Sequence, residues 1–297
     1  MKKITLAAAA LSVLLLFTGC STGGKEIIVG TQTFTETKIL GYMYEYLIED
    51  RSDTNVKVKT DLLSSPFIIN AMKENELQMG TLYTGEIFNG WFPVEQTKDP
   101  QKALEQAKDG FNKYHGITWM DTLGFENTYA FTVRRDIAEK YKLKKISDLK
   151  NVAKDMKLGV DTSWLERKND GYKAFSKTYG LSFKQLFPME INLVYTAVQS
   201  KDVDIVLAYS SDPRIKEFDL VTLEDDKKFF PPYFASPLVL NETIKEHPEI
   251  EPALKPLFGK IDLDTIRTLN AKVDLEKQDP KEVAKEYLEA QGLIKQR

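Results

Sequence analysis

Four tyrosines in this chain stand in short, polar, turn-like settings: Tyr83 in Leu-Tyr-Thr-Gly, Tyr129 in Asn-Thr-Tyr-Ala-Phe, Tyr209 in Ala-Tyr-Ser-Ser-Asp and Tyr233 in Phe-Phe-Pro-Pro-Tyr. Tyrosines that converge at loop ends can box in an organic cation with their ring faces. A quaternary ammonium has no N–H to donate, so hydrogen bonds cannot recognise its head group. Ring faces can, each contributing roughly 0.5 to 2 kcal/mol as the site dries, while the hydroxyl stays at the rim, where it finds a partner. Tyr42, Tyr44, Tyr46 and Tyr287 lie in predicted helices and read as packing residues. Catalytic chemistry has few carriers. His115 ends a predicted helix and His247 precedes Pro248, neither with a second ligand at metal spacing. No glycine-rich phosphate loop and no nucleophile elbow occurs. The densest acidic cluster, Glu224-Asp225-Asp226, is followed by two lysines and reads as a solvated loop.

These residues must be positioned by a chain of 297 residues with 41 basic and 44 acidic side chains. Lys2 and Lys3, then an apolar run from Ile4 to Phe17, then Thr18, Gly19 and Cys20, read as an export signal covering residues 1–20. The run is too short to span a bilayer comfortably. Cys20 is the single cysteine, which excludes an intrachain disulfide, and it lies where a lipoprotein signal is cut before a lipid-modified cysteine. Residues 21–25 form a short flexible tether. Losing Lys2 and Lys3 changes the balance from 41 − 44 to 39 − 44, a net charge of −5. With basic residues interleaved among acids, nucleic acid is excluded as a partner.

The length beyond the tether exceeds one compact core and predicts two lobes. Glu26 to Gly30 reads as a strand, followed by a helix opened by Thr35 and Glu36 with Ile39, Leu40, Met43, Tyr46 and Leu47 at helical spacing. Val56, Val58, Thr60 and Leu62 alternate as in a half-buried strand, and Ser65-Pro66 and Asp99-Pro100 start helices. Tyr129 to Val133 suits a strand passing between lobes. Strand signals at Lys157 to Val160 and Asp204 to Tyr209 flank helices near residues 172–179 and 193–200, the alternation of an α/β lobe with parallel strands. The proline- and aromatic-rich segment 229–237 suits a return crossing. Two crossings predict a discontinuous first lobe, residues 26–130 and 235–297, a second lobe of residues 131–234, and a cleft between them.

Six motifs in order, Gly30-Thr-Gln-Thr-Phe-Thr-Glu36, Tyr83-Thr-Gly85, Gly124-Phe-Glu-Asn-Thr-Tyr-Ala130, Asp170-Gly-Tyr172, Ala208-Tyr-Ser-Ser-Asp212 and Phe229-Phe-Pro-Pro-Tyr233, span nearly the whole chain after the signal. With these the sequence resembles the quaternary-amine substrate-binding lipoproteins of bacterial ABC importers, which take up glycine betaine, carnitine, choline and related osmoprotectants. The resemblance implies a two-lobed, type II periplasmic-binding-protein-like α/β clamshell with two connecting strands that closes around its ligand. It implies a tyrosine box for the ammonium group at Tyr83, Tyr129, Tyr209 and Tyr233, the first two from the first lobe, Tyr209 from the second and Tyr233 from near the return crossing. It also implies a lipid-anchored, extracytoplasmic protein that serves a separate permease and ATPase, performs no reaction and carries no metal or cofactor.

Gln32 and Thr35 lie where a strand gives way to a helix, able to hold a ligand's polar tail or, for Thr35, to cap the helix. Arg167 reads as a carboxylate anchor or a surface charge. Glu86 departs from the family, whose members can carry threonine or aspartate there. Facing the cleft, its carboxylate would attract a cation and repel a ligand's own carboxylate, a term of about 4 kcal/mol at roughly 4 Å and an effective dielectric near 20, before desolvation. The same scaffold could instead hold another small cationic or zwitterionic solute such as an amino acid derivative, or an enzyme site.

Overall fold

The computed structural model describes residues 26–295; the expected signal, Cys20 and the tether lie outside the described residues. Ten strands follow in chain order: β1 (Ile27–Gly30), β2 (Val56–Lys59), β3 (Met79–Tyr83), β4 (Ile117–Trp119), β5 (Tyr129–Arg134), β6 (Lys157–Asp161), β7 (Gln185–Met189), β8 (Ile205–Tyr209), β9 (Leu220–Thr222) and β10 (Ala235–Leu240). They form two five-stranded sheets, ordered β2-β1-β3-β10-β4 and β7-β6-β8-β5-β9. In each sheet three strands run parallel and the fourth is antiparallel. That fourth strand, β10 in one and β5 in the other, is the first strand after a crossing from the opposite sheet. The arrangement is the α/β, two-lobed architecture that the residues predicted.

The crossings lie side by side. The Leu123 amide donates to the Ala235 carbonyl (2.8 Å), the Asn127 amide to the Tyr233 carbonyl (2.9 Å), and Glu126 pairs with Phe234 in an antiparallel bridge. The resemblance implies that Tyr129 belongs to the first lobe. The residue instead opens β5 of the second sheet, with Tyr129 opposite Tyr209 and Ala130 opposite Ala208. A strand that starts at the end of a crossing has the same sequence signature whichever sheet it joins, and only its hydrogen-bond partners decide.

The helix Thr35–Arg51 buries Ile39, Leu40, Met43 and Leu47 completely and packs beneath the helices Leu263–Asp274 and Pro280–Ala290. Burying each such side chain is worth about 1.5–3 kcal/mol. In the second lobe Phe131 stacks on Phe175 at 4.4 Å between centroids, and both contact the fully buried Trp164. This aromatic floor supports the segment on which the site is built.

Candidate functional site

The carboxyl ends of parallel strands converge on the space between the lobes, the position where open α/β sheets place ligands. β1 leads into Gln32, β3 ends at Tyr83, β6 at Asp161 and β8 at Tyr209. Between them lies a cleft of about 380 Å³ lined from the first lobe by Gln32, Phe34, Ser65 and Glu86 and from the second by Tyr129, Asp161, Arg167 and Tyr209.

Aromatic rings form a continuous chain across this space. Tyr129 lies 5.6 Å from Tyr209 and 5.6 Å from Tyr233, centroid to centroid. Phe34 lies 5.4 Å from Tyr209 and 6.2 Å from Tyr83. All four predicted tyrosines therefore belong to one cluster, but only Tyr129 and Tyr209 line the open cleft; Tyr83 stands behind Phe34, and Tyr233 stands against Tyr129. Phe34 is a wall that reading the tyrosines alone does not find, although it sits inside the first motif. Its extended backbone at the helix N-cap position (φ −85°, ψ 150°) precedes the helix.

Two glycines permit the close packing. A Cβ on Gly85 would lie 2.5 Å from ring atoms of Tyr233, and a Cβ on Gly171 would lie 2.3 Å from the Arg167 carbonyl oxygen. The Tyr83-Thr-Gly85 and Asp170-Gly171 motifs thus owe their glycines to space for a ring and a loop. The Trp164 indole donates to the Asp170 carbonyl (2.6 Å), tying that loop to the aromatic floor.

Glu86, in the 3₁₀ turn Thr84–Asn89, faces the cleft and is 5 % exposed. It accepts from the Ser65 hydroxyl (2.9 Å) and from one terminal nitrogen of Arg167 at 3.2 and 3.3 Å. Arg167 also donates through Nε to both oxygens of Asp170 (3.1 and 3.2 Å) and through its other terminal nitrogen to the Tyr233 hydroxyl (2.7 Å). The Tyr233 hydroxyl donates in turn to Asp170. The guanidinium carbon lies 5.7 Å from the Tyr129 ring centre and 5.5 Å from that of Tyr233. Burial opposes this charge, but Asp170 and then Glu86 outweigh it, so the Arg167 pKa lies above its ordinary value. Arg167 is neither a loose surface charge nor a free carboxylate anchor; it joins the lobes through Glu86.

Asp161 ends β6 and caps the next helix by accepting from the Ser163 amide (3.2 Å) and the Ser163 hydroxyl. The Tyr209 hydroxyl donates to it at 3.4 Å. No signal in the residues alone separates this aspartate from an ordinary helix cap. Gln32, 5 % exposed, accepts from the Ser65 hydroxyl (3.3 Å), and its Nε2 has no hydrogen-bond partner among the described residues. Thr35 turns away: its hydroxyl donates to Asp274 (2.5 Å) on the Leu263–Asp274 helix. It neither lines the cleft nor caps its helix, because Phe34 holds the cap position and Asp274 supplies a nearer acceptor than a cleft ligand could. Burial pushes Tyr83, Tyr129, Tyr209 and Tyr233 well above the ordinary phenol value, keeping their hydroxyls neutral.

Residues 25–290 match the family model described as the substrate-binding domain of ABC-type glycine betaine transport systems. Over 293 residues, 95 % of this chain and 95 % of the relative, the sequence is 41 % identical to the carnitine transport binding protein OpuCC of Listeria monocytogenes. It is 30 % identical to a glycine-betaine-binding protein of Pseudomonas aeruginosa over 94 % of this chain and 92 % of that one. The fold is similar, with a TM-score of 0.73 and 37 % identity, to a solved glycine betaine/carnitine/choline ABC transporter structure, across 90 % of this chain and 99 % of that one.

Proposed function

This chain belongs to the family of substrate-binding domains of ABC-type glycine betaine transport systems, and from that premise we propose that its cleft captures a quaternary ammonium solute of the choline class. It is a binding protein of an importer, not an enzyme, and works with a permease and its ATPase. In the proposed complex the methyl groups rest against Phe34, Tyr129 and Tyr209, Asp161 answers the charge, and the Gln32 amide donates to the solute's hydroxyl. Closure of the lobes brings Tyr83 and Tyr233 around the head group. Anchoring through a lipid on Cys20 belongs to the same proposal, and no helix among the described residues is long and apolar enough to cross a membrane.

The observation that carries this reading is Arg167: a buried guanidinium already rests within reach of the Tyr129 and Tyr233 ring faces. Ring faces that accept one desolvated cation are of the kind that accept another, and the bonds from Arg167 to Asp170 and Glu86 neutralise the guanidinium so that it does not repel a cationic solute. The preference for a net cation rests on charge. Among the described residues, the carboxylates lining the cleft are Glu86, Asp161, Glu166 and Glu190, against the single cation Arg167. Arg167 largely cancels Glu86, and Glu166 and Glu190 are exposed to solvent, so the half-buried Asp161 is the charge expected to discriminate. Arg167 also favours a second reading, a betaine whose carboxylate replaces Glu86 as its partner. Isothermal titration of the chain from Ser21 with choline, glycine betaine, carnitine and ethanolamine separates these. The tightest binding is expected for choline. Glycine betaine or carnitine binding more tightly would transfer the assignment to the second reading, and equal competition by ethanolamine would remove the quaternary amine altogether.

A further inference from the structure

Glu36 is the most deeply buried carboxylate near the site, at 1 % exposure, and no cation among the described residues bonds to it. Its partners come from several elements of the fold. The Tyr83 hydroxyl donates to it from the end of β3, Asn127 from the first crossing (2.8 Å) and Asn270 from the Leu263–Asp274 helix (3.4 Å). Ser211, just past β8 of the second lobe, shares one of these partners: its carbonyl accepts from the same Asn270 amide at 3.2 Å. The bonds from Tyr83, Asn127 and Asn270 all donate toward Glu36, a set that suits an acceptor-only carboxylate. Burial raises its pKa above the ordinary carboxylate value, and the hydrogen bonds offset only part of that rise.

From this geometry we infer that Glu36 is a positioning and charge-selecting residue of the site, acting through Tyr83 to make the cage prefer a cation over a neutral solute of the same shape. The inference rests on the proposed cage. A phenol that donates to a carboxylate gains electron density, so its ring face becomes a better partner for a positive charge. The carboxylate itself stays beyond the reach of the solute, sealed behind the ring, where low polarity lets its field extend further than that of a wet carboxylate. Of the cleft carboxylates, Glu86 is engaged by Arg167, and the half-buried Asp161 meets the solute from the cleft side while Glu36 acts from behind the rings. Glu36 is bonded to the first lobe and to a crossing, and through Asn270 it is linked to Ser211 of the second lobe, so its field acts on the cage from beneath the junction rather than from a moving rim.

The test compares choline with 3,3-dimethylbutan-1-ol, its uncharged isostere, by titration calorimetry at pH 8 on the chain from Ser21. The parent should favour choline strongly. Glu36→Gln, which keeps shape and removes charge, should reduce the choline-over-isostere ratio about tenfold, the size expected of one charge acting over roughly 10 Å at an effective dielectric near 20. Glu36→Asp, which keeps the charge, should restore most of the ratio. Should Glu36→Gln fail to fold, Tyr83→Phe keeps the ring and breaks the link, and it should lower the ratio in the same direction. An unchanged ratio in a folded Glu36→Gln or in Tyr83→Phe, or an equal loss for both compounds, overturns the inference while leaving the cage intact. A parent that binds choline no better than the isostere overturns both.

Discussion

Replacing Arg167 with methionine tests whether one ion-pair network holds the cleft together. Methionine keeps much of the apolar stem while removing the charge that sits between Glu86 and Asp170, whose residues are 5 % and 2 % exposed. Five hydrogen bonds go with it, two to each carboxylate and one to the Tyr233 hydroxyl. Removing one partner of a buried pair costs about 3–5 kcal/mol, because the remaining charge stays out of water without compensation. Since each kcal/mol shifts the melting temperature of a chain of this size by about 2–4 °C, the variant should melt at least about 6 °C lower. Urea and thermal unfolding of the ligand-free protein measure this. The Arg167→Met/Glu86→Gln double variant should recover more than about 1 kcal/mol relative to the sum of the single changes, because the two groups touch. A loss below about 0.5 kcal/mol with no coupling would mean that water screens the pair like a surface salt bridge, and the electrostatic account of the cleft would be wrong.

Three other changes address the site directly. Tyr129→Ala removes the ring shared by Arg167, Tyr209 and Tyr233, and choline affinity should fall at least about tenfold by calorimetry, given up to roughly 2 kcal/mol per dried ring face; parental affinity would take Tyr129 out of the site. Asp161→Asn should lower the preference for choline over glycine betaine, read as the ratio of their dissociation constants, and an unaltered ratio would show that Asp161 does not discriminate. Gly85→Ala forces a methyl into the Tyr233 ring and should cost about 1–3 kcal/mol in urea unfolding, as overpacking does; a neutral substitution would mean that the ring moves freely.

Much of the scaffold is legible in the residues because its signals are local. The helix Thr35–Arg51 is announced by apolar residues at helical spacing, and β1, β6 and β8 by short apolar runs with turn residues after them. β3 escapes such reading. All five of its residues are buried, so it shows no alternation, and Gly80 within it weakens the strand signature while leaving room against Ile68. β7 carries Pro188 at a sheet edge, where proline is tolerated but unadvertised. Tyr129 and Tyr209 were visible as candidates from their settings. That they face each other across one antiparallel pair in a single lobe was not.

What the sequence alone determined is the kind of protein: α/β elements in the order of a two-lobed binder, motifs that match one family, and tyrosines suited to a cation that cannot hydrogen-bond. What tertiary structure alone decided is how the charges are shared. Glu86 meets Arg167 across 81 residues, Thr35 meets Asp274 across 239 and Asn270 meets Glu36 across 234. Whether a carboxylate repels a ligand, holds a lobe or polarises a ring depends on the partner within about 3 Å of it, and residue type and spacing along the chain do not encode a partner that only the folded lobes bring near.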